Sequence, residues 1–168
     1  MKALATVLVL AAATLALSAC GGSGGSATTT TSEPAANSES GGGSPSGGGP
    51  VVEAGSVSGL GTVLVNAEGK TLYTFAPDKE SEVTCTESCA AVWPPLKAEG
   101  GEAEATGEVK ASLLGTDPDP EGGEVVTYAG WPLYTYVADT GPGTATGQAV
   151  NLNGGLWYVI TPAGEIVK

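Results

Sequence analysis

TLYTFAPD (residues 71–78) and PLYTYVAD (residues 132–139) are related segments that lie 61 positions apart in one chain of 168 residues. Each follows a run of strand-forming residues and then a turn that contains glycine: TVLV (62–65) before NAEG (66–69), and EVVTY (124–128) before AG (129–130). A strand, a glycine turn and an aromatic strand predict a β-hairpin at both places.

A second pair of matching positions follows the hairpins, because Trp93 and Trp157 are each followed seven residues later by glycine. We therefore interpret residues 51–168 as a single β-rich domain that contains two repeats, at about 58–115 and 116–168. Because a lone hairpin is marginally stable in water, the two repeats are expected to pack together. The predicted fold class is mainly β, with duplicated antiparallel β-hairpin units packed together and one short helical segment.

The aromatic side chains of each repeat fall on one side of their strand. Side chains of an extended chain alternate between faces, so Tyr73 and Phe75 share a face, as do Tyr134 and Tyr136. We expect these rings to lie in the core, with the tyrosine hydroxyls reaching polar partners at its edge. The alternative is an aromatic platform for a ligand.

Two aspartates, Asp78 and Asp139, occupy the same position in the two repeats. An aspartate just beyond a strand accepts backbone N–H bonds in a turn, and the neighbouring Pro77 and Thr140-Gly141 favour a turn. If the repeats are related by a twofold axis, the two carboxylates could instead approach each other. Paired carboxylates can share a proton or hold a metal ion, so both residues are also candidate metal ligands.

Cys85 and Cys89 are expected to form a disulfide, the default in an oxidising compartment. Thr84 can cap a short helix that ends at Pro94, and on a regular helix the two Cα atoms would lie about 6 Å apart. A redox-active pair is the alternative. No positive charge lies close by to lower a thiol pKa, and Glu87 would raise it.

The remaining segments are interpreted as packing and connection. Trp93 and Trp157 are expected to be core anchors, one in each repeat, and residues 157–160 (WYVI) to form a buried strand. Residues 116–124 (TDPDPEGGE) hold four carboxylates without the spacing of a calcium-binding loop. They are expected to be a solvated linker between the repeats.

Composition excludes several kinds of chemistry. The chain has a net charge of −12, no histidine and one methionine, and all six of its basic residues are lysine. An imidazole base, a guanidinium clamp and haem held by histidine or methionine are therefore impossible. Nucleic acid is an improbable partner because its phosphates demand basic residues. No cofactor is expected.

The N-terminal residues predict export. Lys2 precedes an apolar run at residues 3–17, which as a helix would be about 22 Å long, short of the roughly 30 Å of a bilayer core. We interpret residues 1–19 as a signal peptide. The sequence Leu17-Ser18-Ala19-Cys20 resembles the lipobox of bacterial lipoproteins, which implies that Cys20 becomes the N-terminus and carries acyl chains. Residues 20–50, rich in glycine, serine and threonine, are expected to be a flexible tether with a reach of about 30 Å.

The motif Tyr-x-(Phe/Trp/Tyr)-x-x-Asp occurs twice, as Tyr73/Phe75/Asp78 and Tyr134/Tyr136/Asp139. Between its copies lies CTESCAAVWPPL (85–96), and after the second come DTGPG (139–143) and Gly147-Gln148. Together these resemble the bacterial secreted-repeat lipoproteins over about residues 58–162. The resemblance implies an envelope location and a duplicated β-rich unit, but no particular reaction.

Three hypotheses of function follow. The leading one is a non-catalytic binding or structural module, held on the extracytoplasmic face of the cell membrane by lipid on Cys20, whose partner is another envelope component. The second is capture of a metal ion or small ligand at the face of Asp78 and Asp139. The third is an enzyme or electron carrier that depends on an externally supplied cofactor. The oligomeric state is left open.

Overall fold

The computed structural model describes residues 48–78 and 82–168, so the predicted signal peptide and most of the predicted tether, Cys20 included, lie outside the described residues. The described part is mainly β, as predicted. Its strands are β1 (Val51–Val57), β2 (Gly61–Asn66), β3 (Tyr73–Phe75), β4 (Glu104–Ala105), β5 (Leu114–Pro118), β6 (Glu124–Tyr128), β7 (Trp131–Pro132), β8 (Asn151–Leu152) and β9 (Gly155–Val159). The helical segment in this part of the chain is a single 3₁₀ turn, Ala111–Leu113, and no helix in it is long and apolar enough to span a membrane.

The strands form three small sheets, in the orders β2-β1-β4, β3-β9-β8 and β5-β6-β7. β4 runs parallel to β1, and the other strand pairs are antiparallel. The first hairpin of each repeat has the same register: Val52 faces Asn66 in β1–β2, and Leu114 faces Tyr128 in β5–β6. The second repeat thus begins with β5, close to the boundary expected at residue 116.

The linker expected at residues 116–124 is instead the tip of the β5–β6 hairpin, and that prediction was wrong. Asp119 donates its N–H to Gly123 at 3.0 Å, and its side chain forms an ion pair with Lys97. Pro118 ends β5, an edge strand, where the missing N–H of proline costs no ladder bond. The alternating prolines therefore mark a strand end, not a break between the repeats.

Strands of one repeat pair with segments of the other. β3 of the first repeat pairs with β9 of the second, with Phe75 opposite Trp157. In the reverse sense, Thr135 of the second repeat donates its N–H to the carbonyl of Pro94 in the first, at 2.9 Å. The aromatic strand of each repeat is therefore completed by the tryptophan segment of the other.

The outer hairpins are also hydrogen-bonded to the other repeat. Leu64 in β2 donates its N–H to Ile160 of the second repeat at 2.9 Å, and Val126 in β6 donates to Leu96 of the first at 2.8 Å. Since each contact recurs with the repeats interchanged, the two are related by an approximate twofold axis. The expectation that the hairpin units pack together is confirmed, and they do so by interlocking.

Two clusters of buried side chains form the core, and both draw on the two repeats. The first contains five aromatic residues and consists of Val57, Val63, Val65, Tyr73, Phe75, Cys85, Cys89, Trp93, Tyr134, Trp157 and Val159. The second is mainly aliphatic and consists of Val52, Leu64, Leu72, Val109, Val126, Tyr128, Leu133 and Ile160. The motif residues lie in and around the first cluster.

The disulfide between Cys85 and Cys89 is present, with the Cα atoms 5.2 Å apart. The short helix expected from Thr84 to Pro94 is absent, because residues 87–92 form successive turns. Glu87 has a φ of 51°, in the left-handed region, and a right-handed helix cannot continue through such a residue.

Candidate functional site

The motif residues meet where the aromatic strands cross. Tyr73 lies in β3, and Tyr134 faces it as an isolated bridge partner. Tyr73, Phe75 and Tyr134 are buried, whereas Tyr136 is partly exposed. The structure thus brings the aromatic members of both motifs into one core, and leaves one ring in reach of solvent.

Each motif tyrosine is hydrogen-bonded to the aspartate of the other repeat. Tyr73 Oη donates to Asp139 Oδ2 at 2.6 Å, and Tyr134 Oη donates to Asp78 Oδ2 at 2.5 Å. Both carboxylates are buried, with Asp78 fully inaccessible to solvent and Asp139 5% exposed. The tyrosine and the aspartate of one motif therefore serve different partners, a relationship that spacing along the chain does not reveal.

The second oxygen of each carboxylate closes a loop within its own repeat. Asp78 Oδ1 accepts the N–H of Thr84 at 2.8 Å and its hydroxyl at 2.5 Å. Asp139 Oδ1 accepts the N–H of Thr146 at 2.8 Å and its hydroxyl at 2.6 Å. From the sequence, Thr84 is assigned only as a helix cap and Thr146 is not singled out, although they lie six and seven positions after Asp78 and Asp139.

Burial sets the protonation of this cluster. It raises the pKa of Tyr73 and of Tyr134 well above the usual value, and the hydrogen bond to the facing aspartate raises each further. Burial also raises the pKa of Asp78, against the opposing effect of the bonds from Thr84 and Tyr134. Both tyrosines therefore remain protonated donors throughout the neutral range.

Four aromatic rings form a continuous face-to-face stack in the order Phe75, Trp157, Trp93 and Tyr136. The successive ring centroids lie 4.2, 3.9 and 4.0 Å apart, and the planes diverge by less than 20°. The two tryptophans, one from each repeat, are nearly parallel at 3°. Aromatic pairs in favourable geometry stabilise a fold by about 0.5–1.5 kcal/mol beyond their buried area. The tryptophans are core anchors, and they anchor the repeats to each other.

The hydrogen-bonded tyrosines meet this stack edge-on. Tyr73 contacts Trp93 with the ring centroids 5.4 Å apart, and Tyr134 contacts Trp157 at 5.2 Å. Gly147 donates its N–H to Tyr73 Oη at 3.2 Å, and a Cβ at this glycine would lie 2.6 Å from the Trp93 ring. Glycine at position 147 is thus required by close packing against the rings.

The two motif carboxylates share no hydrogen-bond partner. Within residues 48–78 and 82–168, no group of three or more Cys, Asp or Glu is arranged to hold a metal ion. The arrangement instead positions phenol hydroxyls against carboxylates in an apolar surrounding. Each carboxylate is therefore placed to accept a proton from the phenol that it faces.

A surface groove of about 640 Å³ lies apart from the motif residues. Small side chains and two glutamates line it: Ala98, Gly101, Glu102, Ala103, Ala111, Leu114, Gly115, Thr116 and Glu124. Most of these residues are exposed, so the groove is shallow. It provides no enclosed site.

Comparison with known protein families places both repeats in one family. The Lipoprotein_15 family, described as a secreted repeat of unknown function, matches residues 57–97 and 115–161, which together make up more than half of the chain. One match lies in each of the two interlocked units, and each ends beyond the stacked tryptophan of its unit. No curated protein and no solved structure matches the chain.

Proposed function

The chain belongs to the Lipoprotein_15 family of secreted repeats, and on that premise we propose that it is a lipid-anchored module of the cell envelope without a catalytic centre of its own. Membership of a secreted family supports an extracytoplasmic location. Acyl chains on Cys20 hold the protein at the membrane, and residues 20–50 separate the folded part from the lipid surface. Its role is to bind or support another envelope component.

One observation supports the non-catalytic role above all others. Both motif tyrosines and both motif aspartates direct their polar atoms at each other and at the threonines of the turns. Such buried, mutually satisfied groups stabilise a fold, and they are costly to expose to a substrate. The two copies of the Tyr/aromatic/Asp motif therefore hold the two repeats together.

The charge of the chain supports a tethered arrangement. A net charge of −12 repels anionic lipid headgroups, so the folded part is held off the bilayer surface by the length of the tether. Two or more acyl chains, at about 0.8 kcal/mol per buried methylene, give a stable anchor, whereas a single chain is marginal.

Substitution of the lipidation residue tests the anchor. The Cys20→Ala variant is expected to appear in the medium as soluble protein, whereas Ser23→Ala, a matched change in the tether, stays with the membrane fraction. Retention of both variants in the membrane fraction would refute lipid anchoring through Cys20 and leave the account of the folded part unaffected.

A metal titration tests the non-catalytic role against the metal hypothesis. An ion that binds the folded state stabilises it, by an amount that grows with the logarithm of the ion concentration above the Kd. We expect no change in the melting temperature of the purified protein in millimolar calcium or zinc. A stabilisation that disappears in Asp78→Asn or Asp139→Asn would overturn the proposal in favour of a cation site. Visible absorbance of protein isolated from its native membrane would instead indicate haem or flavin.

A further inference from the structure

The ring stack has one oxidisable end that reaches the surface. Tyr136 is partly exposed, and its ring lies 4.0 Å from Trp93, which lies 3.9 Å from Trp157. The opposite end is Phe75, which is buried and whose benzene ring is much harder to oxidise than indole or phenol. Electrons tunnel rapidly between rings in van der Waals contact, so an electron can leave the stack through the ring of Tyr136.

Each tryptophan also contacts a phenol with a proton acceptor already in place. Tyr73 lies edge-on to Trp93, and its hydroxyl points at Asp139 Oδ2 at 2.6 Å. Tyr134 lies edge-on to Trp157, with its hydroxyl 2.5 Å from Asp78 Oδ2. Both hydroxyls are in direct hydrogen-bond contact with a carboxylate, as proton transfer to a base requires.

We propose that this network is a one-electron relay, which carries oxidising equivalents from the surface ring of Tyr136 through Trp93 and Trp157 to the hydrogen-bonded tyrosines Tyr73 and Tyr134. The oxidant is a one-electron acceptor of the extracytoplasmic compartment, of the class of peroxyl radicals. The relay is a further property of the core, and it does not depend on the lipid anchor or on any partner.

The proton and the electron take separate routes. The oxidant removes one electron from Tyr136. An electron from Trp93 then reduces the oxidised Tyr136, and an electron from Tyr73 reduces the oxidised Trp93. Oxidised Tyr73 loses its phenolic proton to the Asp139 carboxylate. The products are the reduced oxidant (a hydroperoxide anion from a peroxyl radical), a neutral tyrosyl radical and a protonated Asp139. The same balance holds for Tyr134 and Asp78, and burial raises the pKa of Asp78, which makes it a stronger base than an exposed aspartate.

Flash oxidation of the full chain by photogenerated tris(bipyridyl)ruthenium(III) tests the relay, with the radical followed by transient absorption and electron paramagnetic resonance. The wild-type protein is expected to yield buried tyrosyl radical, at a rate that decreases in D₂O. Tyr136→Phe keeps a stacking ring, as Phe75 does at the equivalent position, and is expected to form the radical several-fold more slowly. Tyr158→Phe, which alters a tyrosine outside the network, should react as the wild type does.

Asp139→Asn and Asp78→Asn are expected to abolish the radical on Tyr73 and on Tyr134 respectively, because an amide accepts the hydrogen bond but not the proton. Melting temperatures measured in parallel separate this effect from loss of packing. The proposal is overturned if Tyr136→Phe and the wild type form buried radical at equal rates. It is also overturned if the folded double variant Asp78→Asn/Asp139→Asn keeps the tyrosyl yield of the wild type.

Discussion

Tyr73 and Tyr134 exchange both of their backbone hydrogen bonds, at 2.8 and 3.0 Å, and so pair the two aromatic strands at a single point. From that point each side chain reaches the aspartate of the other repeat. Because both the main chain and the side chains cross between repeats here, neither repeat can complete its core without the other. The repeated Tyr-x-(Phe/Tyr)-x-x-Asp motif therefore forms the contact between the repeats.

Alkaline pH is expected to destabilise the fold because Tyr73 and Tyr134 stay protonated in it. Their pKa values are raised by burial and by the facing aspartates, so the folded chain keeps two protons that the unfolded chain loses above about pH 10. Stability is thus fully present below pH 10 and decreases as pH rises further. Tyrosinate absorbance and near-ultraviolet circular dichroism check this. Ionisation of all five tyrosines in a folded protein would contradict it.

Protonation of Asp78 at acid pH is expected to increase its contribution to the free energy of unfolding. Its pKa is raised chiefly by burial, so its contribution to stability is largest below the unfolded pKa of about 3.9 and decreases as pH rises through the folded value. The free energy of unfolding of the wild type minus that of Asp78→Asn should therefore fall between pH 3 and pH 7. Urea denaturation at several pH values measures the difference, and a rise with pH would contradict the assignment.

Gly147→Ala is expected to destabilise the protein by about 1–3 kcal/mol, because the added methyl group would overlap the ring of Trp93. Gly141→Ala is the matched control, since a Cβ at that position meets no atom within 4 Å. Urea unfolding of both variants compares the two sites. Equal stability of the variants would show that the ring stack is not closely packed.

Reduction of the Cys85–Cys89 disulfide is expected to cost only about 2 kcal/mol, because the bond closes a very short loop and constrains the unfolded chain little. Urea unfolding with and without a phosphine reductant measures this. If the reduced protein fails to fold, the disulfide stabilises the fold to an extent that loop entropy does not explain.

The hairpins and the buried aromatic face were predictable because the alternation of side chains along a strand records which residues face the core. The crossing of the repeats was not, since the same alternation is satisfied whether Tyr73 bonds to Asp78 or to Asp139. Two local errors have simpler causes. The left-handed Glu87 breaks the expected helix, and the prolines of residues 116–124 looked like a linker although Lys97 holds that segment as a hairpin tip.

Double-mutant cycles on the motif residues measure whether each motif tyrosine is bonded to the aspartate of the other repeat. The cross-repeat pair Tyr73→Phe and Asp139→Asn is compared with the same-repeat pair Tyr73→Phe and Asp78→Asn, by urea unfolding of the single and double variants. A direct hydrogen bond to a charged group predicts a coupling of about 1.5–3 kcal/mol for the first pair and nearly none for the second. Coupling found only in the same-repeat pair, or equal coupling in both pairs, would contradict the conclusion that each motif tyrosine is bonded to the aspartate of the other repeat.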